Sequence, residues 1–183
     1  MNSIIPTGKF VDPDIVVTHF HIHPGDTVVD FGAGGGYFLP ALADAVGPDG
    51  HVFACEIQRE LVEKLGTIGQ QNGLEVVKPM WCDIEADRGV GLEDGSVDAG
   101  VVVNSLFLFA DKNTAVQEIV RTVRPGGKIH VVDWTESFGG LGPQSDMVVS
   151  SDQATELFEN NGCELENTYP AGDHHYGLSF RKV

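Results

Sequence analysis

The stretch V-D-F-G-A-G-G-G-Y at residues 29–37 decides the fold prediction, since an acid and a run of glycines directly follow a short apolar segment. Glycine permits a tight turn and lets a ligand lie against bare backbone, and the helix expected next offers free N–H groups at its start. The dinucleotide-binding frame G-x-G-x-x-G fails here, because Tyr37 occupies the place of its third glycine. The pattern that fits is D-x-G-x-G-x-G from Asp30 to Gly36, which predicts a ligand-binding turn between a first strand and a helix.

Outward from this turn, apolar strand-like runs alternate with segments of helical period. The predicted strands are Thr27–Phe31, His51–Glu56, Leu74–Trp81, Ala99–Val103, Lys128–Asp133, Cys163–Tyr169 and Tyr176–Lys182. The predicted helices are Phe38–Val46, Gln58–Gly69, Thr114–Arg124 and a segment from a capping box at Ser150 to Asn160. Successive strand–helix units predict an α/β fold with a parallel, doubly wound sheet, and two closing strands without a helix between them predict an antiparallel last pair. Pro79 favours an edge position or a strand end for the third strand.

Length and charge limit the classes of protein. The chain has 183 residues, enough for one domain with a core of its own, and we predict a single domain over 1–183. The net charge of −16 argues against binding to nucleic acid or to an anionic membrane, since both need a positive surface. Residues 1–20 show no secretory signal, and polar residues interrupt the longest apolar stretch. We therefore predict a cytoplasmic protein.

The cysteine and histidine patterns predict no metal site. Cys55, Cys82 and Cys163 are widely spaced and form no C-x-x-C pair, which argues against a disulfide framework or a zinc finger and favours a reducing compartment. We expect all three to be small buried side chains. The alternating histidines of 19–23 could bind a metal from one face of a strand, but structural or solvated histidines are the preferred interpretation, and the same holds for 174–175.

Acidic residues follow the second and third predicted strands, at the edge where such sheets bind ligands. Glu56 ends the second strand, where a carboxylate can accept both hydroxyls of a ribose; the alternative is a solvated surface acid. Asp83 and Ile84 follow the third strand and suit an adenine amino group and ring face. The alternative for Asp83 is a turn or capping role.

Taken together, these features resemble the class I S-adenosylmethionine-dependent methyltransferases, from about Val11 to Val183. The resemblance rests on D-F-G-A-G-G-G at 30–36, Glu56, Asp83, V-D-A-G-V-V-V-N at 97–104 and R-P-G-G-K-I at 124–129. The similarity is greatest to the small-molecule type, which carries an L-R-P-G-G-like turn. It implies a Rossmann-like, mostly parallel sheet of order 3-2-1-4-5-7-6, S-adenosylmethionine as cofactor, and methyl transfer to a small-molecule acceptor.

At the methionine end of the cofactor, the resemblance implies contacts from two strand ends and from the glycine turn. Asp30 would reach the amino group directly or through water. Asn104 would lie near the methionine through its backbone carbonyl. The residues that would let the backbone approach the methionine and ribose, or would flank the turn, are Gly32, Ala33, Gly34, Gly36 and Tyr37.

At the adenosine end, the resemblance implies two carboxylates and two apolar side chains. Glu56 would hold the ribose diol, and Ile57 would pack beside the adenine. Asp83 and Ile84 would hold the adenine itself.

The acceptor side is less defined. N-S-L-F at 104–107 departs from the N-P-P-Y/F and D-P-P-Y signatures of base and glutamine methylation, which disfavours those substrates. Leu106–Phe109 stand where related small-molecule enzymes often carry histidine. They indicate an apolar acceptor pocket or a substrate that needs no base there, and the alternative is that they belong to the core. No catalytic residue is identified. Residues 1–25 would form a short N-terminal cap and 134–150 a lid. Such short segments imply either a small acceptor or a second subunit that completes the site. A monomer and a homodimer are therefore both possible assemblies.

Three other functions compete with this interpretation. A nicotinamide-dependent oxidoreductase would use the same fold and Glu56, but Tyr37 and the closing strand pair speak against it. A non-catalytic cofactor-binding module that works through a partner would explain the missing base, since fold does not imply function. Methylation of RNA or protein is the third, and the net charge disfavours RNA.

Overall fold

A single mixed sheet with helices on both faces organises the chain. The computed structural model describes residues 11–138, 140 and 142–183. The strands are β1 Thr27–Phe31, β2 His51–Glu56, β3 Val77–Trp81, β4 Val97–Val103, β5 Val123–Trp134, β6 Cys163–Gly172 and β7 His175–Lys182. The helices are α1 Pro13–Val16, α2 Leu39–Val46, α3 Arg59–Gln71, α4 Lys112–Thr122 and α5 Ser151–Glu159. Of the predicted N-terminal cap, residues 1–10 lie outside the described part of the chain.

The order of strands in the sheet is β3-β2-β1-β4-β5-β7-β6. The pairs from β3 to β5 are parallel, and β7 runs antiparallel to both β5 and β6. The predicted fold class and strand order are thereby confirmed, as is the edge position of the third strand. Parallel strands direct their carboxyl ends to one edge of the sheet, so the loops after β1 to β4 lie close together.

The two faces of the sheet carry separate buried clusters, as strand alternation requires. Val29 and Phe31 of β1 belong to the cluster that includes residues of α4 and α5, such as Ile119 and Phe158. Val28, which precedes them in sequence, belongs to the cluster formed with α2 and α3. The continuous apolar run of β4 is explained by this burial on both faces.

Element boundaries differ from prediction where caps and turns decide them. Helix α4 begins at Lys112, because the Asp111 side chain caps it by accepting a hydrogen bond from the Thr114 N–H at 3.0 Å. Strand β3 begins three residues later than predicted, because the Leu74 N–H donates to the Gly69 carbonyl at 2.8 Å and so belongs to the end of the preceding helix. The capping box at the start of α5 is present as predicted.

The expectation of three unpaired cysteines is wrong for two of them. Cys55 near the end of β2 and Cys82 just after β3 form a disulfide, with a Cα–Cα distance of 5.8 Å. In the parallel register Cys55 lies opposite Met80, so Cys82, which follows the end of β3, lies close to Cys55. The sequence separation of 27 residues conceals this proximity. Cys163 is free and buried.

No helix within the described ranges is long and apolar enough to cross a membrane.

Candidate cofactor site

A cavity of about 410 Å³ opens where the loops after β1, β2, β3 and β4 meet. It lies at the carboxyl edge of the sheet, where the strand order predicts a ligand. The predicted site residues that line it are Asp30, Gly32, Ala33, Gly34, Tyr37, Glu56, Ile57, Asp83, Ile84 and Asn104. Lining residues for which sequence analysis predicts no role in binding the cofactor include Gly35, Gln58, Cys82, Ser105 and Leu108.

The glycine turn is shaped by positive φ angles and by close packing. Gly32 has φ +78°, and a β-carbon there would lie 2.9 Å from the Ser105 β-carbon. Gly36 also has positive φ but packs behind the turn, where a β-carbon would meet the side chains of Leu65 at 2.8 Å and Leu39 at 3.0 Å. Gly36 therefore serves the packing of the turn on the following helices rather than contact with the cavity.

Glu56 joins the end of β2 to the glycine turn. Its Oε2 accepts a hydrogen bond from the Gly34 N–H at 3.0 Å, and its Oε1 accepts one from the Gln58 N–H at 2.9 Å. An ionised carboxylate has about four lone-pair sites, so each oxygen can accept a further donor. The side chain is thus fixed in place and still able to accept two hydroxyl groups from the cavity.

Asp30 is the most perturbed acid of the site. It is almost completely buried at the end of β1, and burial together with the charge of Glu56 raises its pKa from 3.8 to about 7. Burial disfavours the charged form, and a neighbouring negative charge does so again. A cation in the cavity would relieve both effects.

The side of the cavity formed after β2 and β3 combines a fixed acid with apolar faces. Asp83 Oδ1 accepts a hydrogen bond from the Glu85 N–H at 3.1 Å, so the turn role considered for Asp83 is present in addition to its place in the cavity. Ile57 is 53% exposed, and its carbonyl accepts a hydrogen bond from the indole Nε1–H of Trp81 at 2.7 Å. This bond holds the backbone of Ile57 at the rim of the cavity.

The loop after β4 is fixed at two points that the sequence did not reveal. Ser105 Oγ donates to the Phe31 carbonyl at 3.0 Å, which ties the loop to the end of β1. The buried carboxylate of Asp133 accepts hydrogen bonds from the N–H groups of Leu106 at 3.0 Å and Trp134 at 2.8 Å. Burial raises the pKa of Asp133 to about 6, although these N–H groups oppose the shift. Directly before these two anchors, Asn104 has φ +52°, and its buried Oδ1 has no hydrogen-bond partner among the residues that the structure describes.

Comparison with known proteins places the chain in a family. Residues 22–168 match the family model described as Methyltransferase domain. The chain belongs to this methyltransferase-domain family. A SAM-dependent methyltransferase from Aquifex aeolicus has a similar solved structure, with a TM-score of 0.87 and 25% identity, covering 95% of this chain and 91% of that one.

Two curated relatives are methyltransferases whose names refer to small molecules. The chain is 32% identical over 114 residues to an arsenite methyltransferase of Halobacterium salinarum, covering 60% of this chain and 27% of that protein. It is 28% identical over 123 residues to the ubiquinone/menaquinone biosynthesis C-methyltransferase UbiE of Burkholderia mallei, covering 66% of this chain and 48% of that protein. The chain therefore spans less than half the length of these curated relatives.

S-adenosylmethionine is the cofactor of this methyltransferase-domain family, and the residues around the cavity fit it. The cofactor carries an ammonium and a sulfonium, and the cavity presents the two buried acids Asp30 and Glu56. The volume lies within the ordinary range of ligand pockets. The open backbone at Gly34 and Gly35, where a β-carbon would meet at most one atom within 4 Å, leaves room for close approach.

The remaining candidates lie apart from this cavity. His174 Nδ1 lies 2.7 Å from Glu136 Oε1, and its ring stacks on Phe138 with centroids 3.9 Å apart. Trp134 packs beneath Gly142, whose β-carbon would lie 2.6 Å from the indole ring, so packing under the following segment is its observed role. His19 stacks on Tyr169. Within the ranges that the structure covers, no group of three His, Cys, Asp or Glu side chains is placed to hold a metal ion.

Proposed function

We propose that the chain transfers a methyl group from S-adenosylmethionine to a small-molecule acceptor. The observation that carries this proposal is the pair of buried acids, Asp30 and Glu56, beside the bare glycine turn in one cavity. In this assignment Asp30 binds the methionine ammonium group and Glu56 accepts hydrogen bonds from the ribose diol. Asp83 accepts a hydrogen bond from the adenine amino group. Ile57 and Ile84 enclose the adenine ring, and Asn104 meets the methionine end.

The protein contributes binding, orientation and exclusion of water. When bound, the cofactor supplies a methyl group that is already activated on a sulfonium. Asp30, Glu56 and the glycine turn would hold the ammonium and ribose parts of the cofactor. Leu108 and Phe109 give the β4-loop side of the cavity an apolar wall. Alignment of an acceptor atom with the methyl group then supplies the rate advantage. No side chain is assigned as a base.

The acceptor class is inferred from the net charge. A net charge of −16 repels polyanions, which supports a small molecule over nucleic acid. We propose the segment 134–150 as a lid on the acceptor side, with residues 1–25 as a cap, within one domain over 1–183. A cytoplasmic monomer or homodimer accommodates this arrangement, and small-angle scattering with and without cofactor distinguishes the two assemblies.

Two measurements test the proposal. Isothermal titration calorimetry should show binding of S-adenosylhomocysteine and no comparable response to NAD; tight NAD binding alone would replace the proposal with an oxidoreductase. A radiolabelled methyl-transfer screen should include arsenite and quinol precursors, because the curated relatives carry those names. Cofactor binding without transfer to any small molecule, protein or RNA would favour a non-catalytic binding module.

A further inference from the structure

The Cys55–Cys82 disulfide lies directly behind the cofactor cavity. Cys55 immediately precedes Glu56, and Cys82 immediately precedes Asp83, so each cysteine is bonded along the chain to one of the two acids on the adenosine side. The link joins β2 and the residue after β3, where the two strands are otherwise held by main-chain pairing at this edge of the sheet. The covalent bond therefore adds to main-chain pairing in holding Glu56 and Asp83 at a fixed spacing.

The backbone of the same two cysteines also supports the cavity. The Cys55 carbonyl accepts hydrogen bonds from the N–H groups of Gly32 at 2.9 Å and Ala33 at 3.0 Å, which anchors the glycine turn. The Cys82 N–H donates to the Glu56 carbonyl at 3.1 Å. Any relaxation of the disulfide is thus transmitted to the glycine turn and to Glu56 through direct hydrogen bonds.

The cavity is the side from which the sulfur atoms could become accessible. Both cysteines are fully buried, and Cys82 is among the residues that line the cavity, so a small thiol would need a local opening of the cavity wall to reach the bond. A bound cofactor would cover this approach. Disulfides in reducing compartments are usually transient and regulatory, and the cytoplasmic location that we propose would make this bond such a case.

We propose that Cys55–Cys82 is a redox-modification site whose oxidised form binds S-adenosylmethionine more tightly than its reduced form; the inference rests on the proposed cofactor site. In the reaction, a dithiol reductant supplies two electrons and two protons, the S–S bond breaks, both cysteines become thiols, and the reductant closes to its own disulfide. The oxidised form binds more tightly because the link holds Glu56 and Asp83 at the spacing of the bound state, which reduces the ordering that binding requires.

The coupling must be reciprocal. If oxidation raises cofactor affinity by a given factor, bound cofactor must make the disulfide harder to reduce by the same factor at equilibrium. We expect a factor of about ten, which is within the usual range of coupling between two sites.

The test begins with a thiol count in denaturant without reductant, for which one free thiol per chain is expected. The dissociation constant of S-adenosylhomocysteine is then measured by calorimetry for the oxidised protein and for protein reduced with dithiothreitol, with a roughly tenfold difference expected. Cys163→Ala is the matched control, because it removes a buried cysteine remote from the cavity and should keep the redox response. Cys55→Ala/Cys82→Ala should bind as the reduced protein does and lose the response, with circular dichroism to check that it folds.

The outcomes separate this inference from the proposed function. Three free thiols, or equal affinity of the oxidised and reduced forms, would overturn the redox inference and leave the proposed function intact. Absence of S-adenosylhomocysteine binding in both forms would overturn the proposed function and the inference with it. A reduced form that binds more tightly would also overturn the inference.

Discussion

At the residue scale, ionised Asp30 lowers the folding stability of the ligand-free protein, and a bound cofactor would offset this loss. Its pKa of about 7 lies well above its ordinary value of 3.8, because burial and Glu56 oppose its charge. A group whose pKa is raised on folding favours the folded state fully below its unfolded pKa, and this contribution is lost as pH rises through the folded value. Above pH 7, the empty cavity therefore holds a carboxylate that is ionised at the expense of stability.

Asp30→Asn should stabilise the ligand-free protein and weaken cofactor binding. At pH 8 we expect the free energy of unfolding to rise by roughly 1–3 kcal/mol, since the buried charge is gone. S-adenosylhomocysteine affinity should fall at least about tenfold with the loss of a charged hydrogen bond. Thermal unfolding and calorimetry measure the two effects, and Asp44→Asn, an exposed acid of α2, is the control for net charge. Loss of both stability and affinity would contradict this account of Asp30.

Cofactor binding should release a proton near neutral pH. Because Asp30 must be ionised to hold an ammonium group, affinity for S-adenosylhomocysteine should rise between about pH 6 and pH 8, on either side of the pKa of about 7. Calorimetry in two buffers of different ionisation enthalpy counts the protons released. The pH dependence should disappear in Asp30→Asn; its persistence there would assign the titration to another group.

Glu56→Gln should weaken cofactor binding and lower the free energy of unfolding by about 1–3 kcal/mol, because its NH2 group would face one of the two backbone N–H groups from which the carboxylate now accepts a hydrogen bond. The variant keeps one side-chain oxygen for a backbone N–H but loses the charge and one acceptor, so we expect at least about a tenfold higher dissociation constant for S-adenosylhomocysteine. Glu63→Gln, an exposed acid of α3, should leave affinity unchanged. Equal effects of the two substitutions would point to net charge rather than a specific contact with Glu56.

At the scale of elements, two glycines of the turn differ in what they serve: we expect Gly32 to be needed for folding and Gly35 for ligand binding. Gly32 has positive φ and a close neighbour in Ser105, whereas Gly35 lacks a positive φ, and a β-carbon placed on it would have no atom within 4 Å. Both residues line the cavity. The pair therefore distinguishes strain in the turn from obstruction of the cavity.

Gly32→Ala should destabilise the protein by roughly 1–3 kcal/mol, because alanine at positive φ is strained and its methyl group would press against Ser105. Gly35→Ala should fold with wild-type stability and, by placing a methyl group in the cavity, bind S-adenosylhomocysteine more weakly. Urea unfolding and calorimetry on both variants check these expectations. Wild-type stability of Gly32→Ala would contradict the packing of the turn against the β4 loop.

Most strand ends, and hence most cavity residues, were predictable from the sequence because apolar runs and the residues that follow them are local signals. The Cys55–Cys82 pairing and the Asp133 contact with Leu106 were not predictable, because each depends on the register between strands that are distant in sequence. The observed position of Gly36 depends likewise on helix packing. Local pattern therefore identified which residues follow the strands, while register and packing decided which side chains contact each other.

At the scale of the whole molecule, excess negative charge sets the response to salt. Self-repulsion at a net charge of −16 destabilises the compact state, and added ions screen it. We expect the melting temperature to rise by several degrees between about 0.05 and 1 M potassium chloride. Sucrose at matched osmolarity is the control for solvent exclusion. A melting temperature that is independent of salt would show that repulsion among these acids is negligible in the folded state.

We propose that one cavity holds S-adenosylmethionine between Asp30, Glu56 and Asp83. A crystal structure with S-adenosylhomocysteine tests it most directly. We predict the amino group near Asp30, both ribose hydroxyls on Glu56, and the adenine between Ile57 and Ile84. An adenosyl group bound elsewhere, or one that leaves Glu56 without a ribose contact, would contradict the claim.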